Sequence, residues 1–326
     1  MYDVIAVGES LIDFTPAGKT DQNNVLFACN PGGAPANVLA MATKLGAKTA
    51  FLGKVGQDAF GSFLRENMLA AGIDVQGLQM DPLTPTTLAF VHLDANGERS
   101  FSFYRKTGAD IMLRFEEIDK NMLASCRIFH FGGVSLTDEP CRTTTLESAK
   151  YAKQKGACIS YDPNYRPSLW GSEAEAKRIM GDAIALSDIL KVSDNELKLF
   201  TGCDEIVKGI QQLKNMGPKV VFVTCGEEGA FVCSNASIEH IPTAHVDVVD
   251  TTGAGDAFLG SMLWQLLFVT NGDLDTITPD EWKAMLRFSN AAGSLTVTRK
   301  GAIPALPSHV EIANVLQWFN GGDISA

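Results

Sequence analysis

Short apolar runs alternate with segments of helical period along most of this chain, and that alternation restricts the fold more than any other feature. "VIAV" (residues 4–7) is continuously apolar, the pattern of a strand buried on both faces. In "ANVLAMATKLG" the apolar residues Val38, Leu39, Ala42 and Leu45 follow a helical spacing that Gly46 ends. "TAFLGKVG" predicts another strand. "AFGSFLRENMLAAG" predicts another helix, with Phe60, Leu64 and Met68 four apart. "RIFHFGG", "EPCRTTTLESAKYAKQKG" and "ACISYD" repeat the sequence strand, helix, strand, and "DILKV" and "KVVFVT" add two more strands. Such a rhythm implies an α/β fold, with a parallel sheet covered by helices on both faces.

Residues 86–106, "TTLAFVHLDANGERSFSFYRK", break the rhythm. They read as two strands around an Asn96-Gly97 turn, with Phe101, Phe103 and Arg105 on one face by the period of two. A hairpin inserted into an α/β chain is a flap or a small second sheet, and an ordinary edge extension fits the same pattern. The rest of the composition bounds the function. The 326 residues suffice for one large domain or two moderate ones, and 45% apolar with 20% charged residues is a globular balance. A net charge of −11 without like-charge runs argues against nucleic acid and anionic membrane as partners. It leaves room for an anionic ligand held locally. Seven scattered cysteines without a C-x-x-C pair read as reduced thiols of a cytoplasmic protein, and five histidines lack zinc-ligand spacing. The N-terminus reads as a first core strand rather than a signal peptide. The longest apolar stretch, residues 257–270, is too short and too interrupted to span a bilayer. There is no internal repeat, and the tail "NGGDISA" is expected to fray.

The most pointed local feature is "DTTGAGDAF" (residues 250–258). "HVDVVD" before it predicts a strand. The helix after it is apolar nearly all round: Ala257, Phe258, Leu259, Met262, Leu263, Trp264, Leu266, Leu267 and Phe268. Such a helix lies inside a protein. Its first turn carries unpaired N–H groups and about half a positive charge. Gly253 and Gly255 have no Cβ, so an anion can reach that backbone. Asp256 in the first turn, taken alone, is also consistent with a cap or a dipole partner. Beside an anion cradle it is placed to take a proton from an attacking hydroxyl, and the pair points to phosphoryl transfer to an alcohol. No Walker A loop and no Rossmann fingerprint occurs.

The motif "DTTGAGDAF" resembles the C-terminal signature of the PfkB, or ribokinase-like, family of sugar kinases, and "NPGGAPANVLAMATKLGAKTAFLGKVGQDAFG" (residues 30–61) resembles its N-terminal signature. The resemblance covers essentially the whole chain. It implies a single kinase domain over residues 1–326, a ribokinase-like three-layer sandwich with a mostly parallel central sheet. A small β-sheet lid would come from segments of about residues 14–30 and 86–108. "VGESLIDF", "FYRKTGAD", "IFHFGGVSLTDEPCR", "YDPNYRPSLW" and "LKVSDNELKLFTG" are more similar to fructokinases than to ribokinases or adenosine kinases. The alternative, 2-keto-3-deoxygluconate kinase, shares the "D-x-N-Y-R" and "LW" features.

By that resemblance Asp13, Gly32, Gly33 and Asn37 would hold sugar hydroxyls, although a tight strand–helix turn explains the same residues. Asp256 would be the base, and Gly253, Ala254 and Gly255 the anion hole. Thr224, Gly226 and Gly229 would lie beside the nucleotide's phosphates and ribose, and Asn290 near adenine. Phe103 and Arg105 would enter the sugar site as the flap closes. Arg166 would lie near the sugar or the moving phosphate. The lesser alternative for either arginine is a surface ion-pair partner. The family's N-x-x-E motif stands here as Ser193-Asp194-Asn195-Glu196, with serine in place of asparagine. Ser193 would sit at the nucleotide, and Glu196 would meet Mg²⁺ through water while the phosphates supply most ligands. Asp250 and Thr252, with Ser294, Val297 and Gly301, match a K⁺ site. The implied reaction moves the γ-phosphoryl of ATP to the 6-hydroxyl of D-fructose. "NPGGAPAN" holds no Lys or Arg for a sugar phosphate, whereas Arg105 and Arg166 would suit the keto-acid alternative. A non-catalytic sugar or nucleotide sensor would be expected to lose Asp256 or the glycines, and all are present. Exposed Phe101 and Phe103 on the lid would permit a homodimer.

Overall fold

The computed structural model describes residues 1–93, 99–235, 237–268 and 273–321. The chain starts with β1 (Tyr2–Val7), β2 (Leu11–Lys19) and β3 (Val25–Gly32), then α1 (Ala34–Lys44), β4 (Thr49–Gly56) and α2 (Ala59–Ala70). Three strands follow, β5 (Leu78–Asp81), β6 (Leu88–Leu93) and β7 (Arg99–Tyr104), and a short α3 (Lys120–Leu123). The middle runs β8 (Cys126–Gly132), α4 (Cys141–Gln154), β9 (Cys158–Asp162), α5 (Glu173–Leu186), β10 (Ile189–Ser193), α6 (Asp194–Thr201), α7 (Ile206–Asn215) and β11 (Val220–Thr224). It closes with β12 (Ala230–Cys233), β13 (Ile238–Ile241), α8 (Ala254–Phe268), α9 (Pro279–Val297) and α10 (His309–Gly321).

A nine-stranded sheet has the order β13-β12-β11-β10-β9-β8-β1-β4-β5. It is parallel except at one edge, where β11–β12 and β12–β13 are antiparallel. The continuous apolar runs are its buried strands, as expected when helices cover both faces. One apolar layer joins α1, α2, α8, α9 and α10 to the sheet, and the other joins α4 to α7. Local signals set the helix ends. The Asp58 carboxylate caps α2 by accepting from Gly61 N, and Thr278 with Glu281 forms a capping box on α9. Parallel strands aim their C-terminal ends at one rim, and β1, β9, β10 and β11 deliver Glu9, Asp162, Lys191 and Thr224 there.

The hairpin belongs to a second sheet, ordered β3-β2-β6-β7, as the lid expectation requires. Phe14 stacks on Phe90 at 4.8 Å and meets Phe60 of α2 edge-on at 5.8 Å, which fastens this sheet to the body. The Asn96-Gly97 turn lies outside the described residues, as does the side chain of Phe101. Residues 245–250 differ from expectation: they form no strand. Val248 and Val249 are each 52% exposed, so their alternation faces no core. Their backbone is held instead by α9, where the Val297 carbonyl accepts from Val249 N (2.8 Å) and Asp250 N (3.1 Å). Helix α10 continues through Asn320 and Gly321, part of the tail expected to fray. All seven cysteines are free thiols. Among the described residues no helix is long and apolar enough to cross a membrane.

Candidate active site

Residues 251–255 form a wall between two cavities. Thr251 and Gly255 line both. Gly253 has φ 81°, a conformation only glycine adopts cheaply, and a Cβ there would stand 2.8 Å from the Ala302 methyl. Behind the wall α8 runs through the core with most of its residues buried, so its N-terminal dipole points at both cavities from within the protein.

The first cavity, of about 370 Å³, lies under the small sheet. Asp256 is buried at its base, and its Oδ2 accepts from Asn37 Nδ2 at 2.8 Å. Burial pushes the Asp256 carboxyl up to about 6; the Asn37 bond, Lys191 and Arg166 oppose this and Asp162 adds to it. Asp13 on β2 is likewise raised by burial to about 6, with Arg166 working against the rise. At Gly33, φ is 122° and a Cβ would stand 2.4 Å from the Glu9 carbonyl oxygen, so this turn must be glycine to start α1. A Cβ on Gly32 would collide with the Asp13 carboxylate. Asp13, Gly33, Asn37, Phe103, Arg166, Gly253, Gly255 and Asp256 therefore surround one space.

Arg105 is not among the lining residues. Its Nε donates to Asp110 Oδ2 at 2.7 Å, Nη1 to the Thr137 hydroxyl and Nη2 to the Val134 carbonyl at 3.1 Å. The period of two breaks because β7 ends at Tyr104, and the buried Asp110 carboxylate draws the guanidinium into the body. Reading the sequence missed Glu9, Asn164 and Lys191. Glu9 is buried, accepts from Ala34 N through Oε1 at 3.1 Å, and is pushed up to about 7 by burial. Lys191 reaches Asp162 Oδ2 at 2.9 Å. The signal for Lys191 was present: a charge inside a doubly buried strand requires a partner.

The second cavity, of about 550 Å³, opens on the other side of the wall. Thr224, Gly226, Gly229, Ala254, Asn290, Ser294 and Val297 line it together with Phe258 and Gly293. Asn290 Nδ2 donates to the Ile241 carbonyl at 2.8 Å, pinning the end of β13 to α9. No lysine or arginine lines this cavity.

Ser193 and Glu196 lie outside both linings. They cap α6: Glu196 Oε2 accepts from Ser193 N and Oε1 from Tyr165 N, both at 2.7 Å. Among the described residues no group of three or more His, Cys, Asp or Glu side chains could hold a metal ion. The two loops expected around K⁺ do meet. Asp250 accepts from Thr252 N at 2.8 Å and from Gly301 N at 3.0 Å, beside the Val297 carbonyl. Ser294 pairs with Thr243 instead.

Comparison with known proteins gives one family. The model of the pfkB family of carbohydrate kinases matches residues 1–309. Over 319 residues the chain is 41% identical to fructokinase-2 of Solanum lycopersicum, covering 96% of each chain. A fructokinase from Xylella fastidiosa with bound ATP superposes with a TM-score of 0.88 at 32% identity, over 98% of this chain and 100% of that one. A double mutant of a Vibrio cholerae O395 fructokinase, solved with fructose, ADP and potassium ion, gives a TM-score of 0.85 at 32% identity, over 96% of this chain and 98% of that one.

Proposed function

The chain belongs to the pfkB family of carbohydrate kinases, and from that membership we infer that it is a fructokinase, moving the γ-phosphoryl of ATP to the 6-hydroxyl of D-fructose. The observation that carries the chemistry is Asp256, buried on the N-terminal turn of α8 at a wall that two cavities share. In this reading the sugar occupies the cavity of Asp13, Gly33, Asn37, Phe103 and Arg166, and ATP the cavity of Thr224, Gly226, Gly229 and Asn290. Asp256 takes the proton of the attacking hydroxyl. With a pKa near 6 it is ionised at neutral pH yet basic enough to accept. The N–H groups of Gly253, Ala254 and Gly255 face the negative charge that develops on the moving group; one such donor is worth about 3–4 kcal/mol in other enzymes. The small sheet above the sugar excludes water and so limits idle ATP hydrolysis.

Mg²⁺ is assigned to the nucleotide phosphates. Among the described residues no group of three or more His, Cys, Asp or Glu side chains offers the ion a cage, and Glu196, outside both cavities, is assigned a contact through water while the phosphates supply most ligands. K⁺ is assigned beside the wall, where Asp250 ties Thr252 to Gly301 and lies next to the Val297 carbonyl; a fixed cation there would strengthen the field. An ATP donor and seven free thiols suit the cytoplasm. A second copy of this chain is assigned to the face of the small sheet turned away from the cavity, where Val25, Phe27 and Tyr104 are exposed. Phe103 faces the cavity instead. Light scattering on Phe27→Asp should then show a smaller particle than the wild type.

A coupled assay of ADP release tests the substrate, with fructose, other unphosphorylated ketoses and aldoses, and 2-keto-3-deoxygluconate. Fructose is expected to give the highest kcat/KM. A higher value for the keto acid overturns the reading.

A further inference from the structure

We propose that Lys191 is a catalytic residue of this transfer, its ammonium donating to an oxygen of the phosphoryl group as that group passes the wall. The inference rests on the kinase reading above and adds a residue to it. Lys191 is the third residue of β10 and sits in register with Phe222 of β11, facing the layer that contains α8. The strand therefore lifts the side chain towards the N-terminus of α8. It lines the cavity of Asp13 and Asp256, and only 7% of it is exposed. A Cβ placed on Gly255 would stand 2.8 Å from Lys191 Nζ, so the ammonium lies directly against the wall, and any side chain at position 255 would displace it.

The position is not explained by stability. A buried ion pair is often no better than apolar residues of the same volume. The bond to Asp162 Oδ2 fixes the ammonium and uses one of its three N–H donors. Burial alone would pull the Lys191 pKa down, but Asp162, Glu196 and Asp256 raise it, so the group stays charged. The nucleotide cavity has no cationic side chain. The acceptor cavity has two, Lys191 and Arg166. Positive charge thus waits on the side towards which the phosphoryl group moves. The step balances without a further reactant. The acceptor hydroxyl gives its proton to Asp256, and its oxygen bonds to phosphorus. The bond from phosphorus to the bridging oxygen breaks, with its electron pair leaving on ADP. Lys191 holds its proton throughout and acts only as donor and charge.

The test pairs Lys191→Met with the double variant Lys191→Met/Asp162→Asn, which also removes the charge of the carboxylate that Lys191 is bonded to. Both are expected to lose about 10²–10³-fold in kcat with fructose while the sugar KM stays close to the wild type. Sugar-independent ATP hydrolysis should fall by the same factor. A purely structural lysine predicts that the double variant regains both folding and turnover. A double variant with wild-type melting temperature and near-wild-type kcat overturns the proposal. If the wild type releases no ADP with fructose, the fructose reading fails, and the hydrolysis measurement alone judges Lys191.

Discussion

The two cavities on either side of residues 251–255 are built from opposite materials. The side proposed for the acceptor carries Glu9, Asp13, Asp256, Arg166 and Lys191, several of them buried. The side proposed for the nucleotide carries glycines, small hydroxyls and apolar residues, with Glu227 and His245 the only titratable groups among its described lining residues. A polyanion is thus expected where the chain offers backbone dipoles, and a neutral polyol where it offers charges. The difference follows from what each ligand brings. A triphosphate brings its own charge and metal ion, whereas a sugar brings only hydroxyls, so selectivity and proton transfer fall to side chains.

That contrast can be broken most directly at Asp256. Asp256→Asn should lower kcat by about 10²–10⁴-fold. It should not lower the melting temperature at pH 8, because burial already disfavours the carboxylate. The same group fixes the pH profile. Its pKa is raised to about 6, so kcat/KM for fructose should fall as the pH drops through about 6 and the base takes up a proton. A flat profile down to pH 5 would remove Asp256 as the base. Asp13→Asn is the next largest effect. Loss of a charged hydrogen-bond acceptor, about 1.5–3 kcal/mol, should raise the fructose KM by about one to two orders of magnitude and leave the ATP KM unchanged. An equal rise in both constants would mean that the two sides are not separate. The smallest effect belongs to the nucleotide side. Asn290→Ala removes one neutral hydrogen bond to the Ile241 carbonyl, about 1 kcal/mol, and should raise the ATP KM several-fold with the fructose KM preserved.

Much of this was legible in the sequence because it depends on periodicity. The apolar runs became the central strands, and the helix apolar on every side became α8 in the core. Gly33 of "NPGGAPAN" and Gly253 and Gly255 of "DTTGAGDAF" line one cavity from two distant segments, while Gly32 lies behind it against the Asp13 carboxylate. What the sequence hid depends on partners far apart in the chain. Arg105 was read by its strand period, but its position is set by Asp110 and Thr137. Residues 245–250 alternate like a strand, yet no sheet edge or apolar layer receives them. For Glu196 the sequence suggests a metal contact through water and does not show that its carboxylate also accepts from the backbone of Tyr165, 31 residues away. Lys191 looked like one polar residue in an apolar run, and its meaning needed Asp162, 29 residues away, to be seen beside it.

Because Thr251 and Gly255 border both spaces, ligands bound as proposed would share a few atoms of floor. A shift of that floor on binding one ligand would reach the other. Thermodynamic linkage then requires reciprocity: whatever factor bound fructose adds to ATP affinity, bound ATP returns to fructose unchanged.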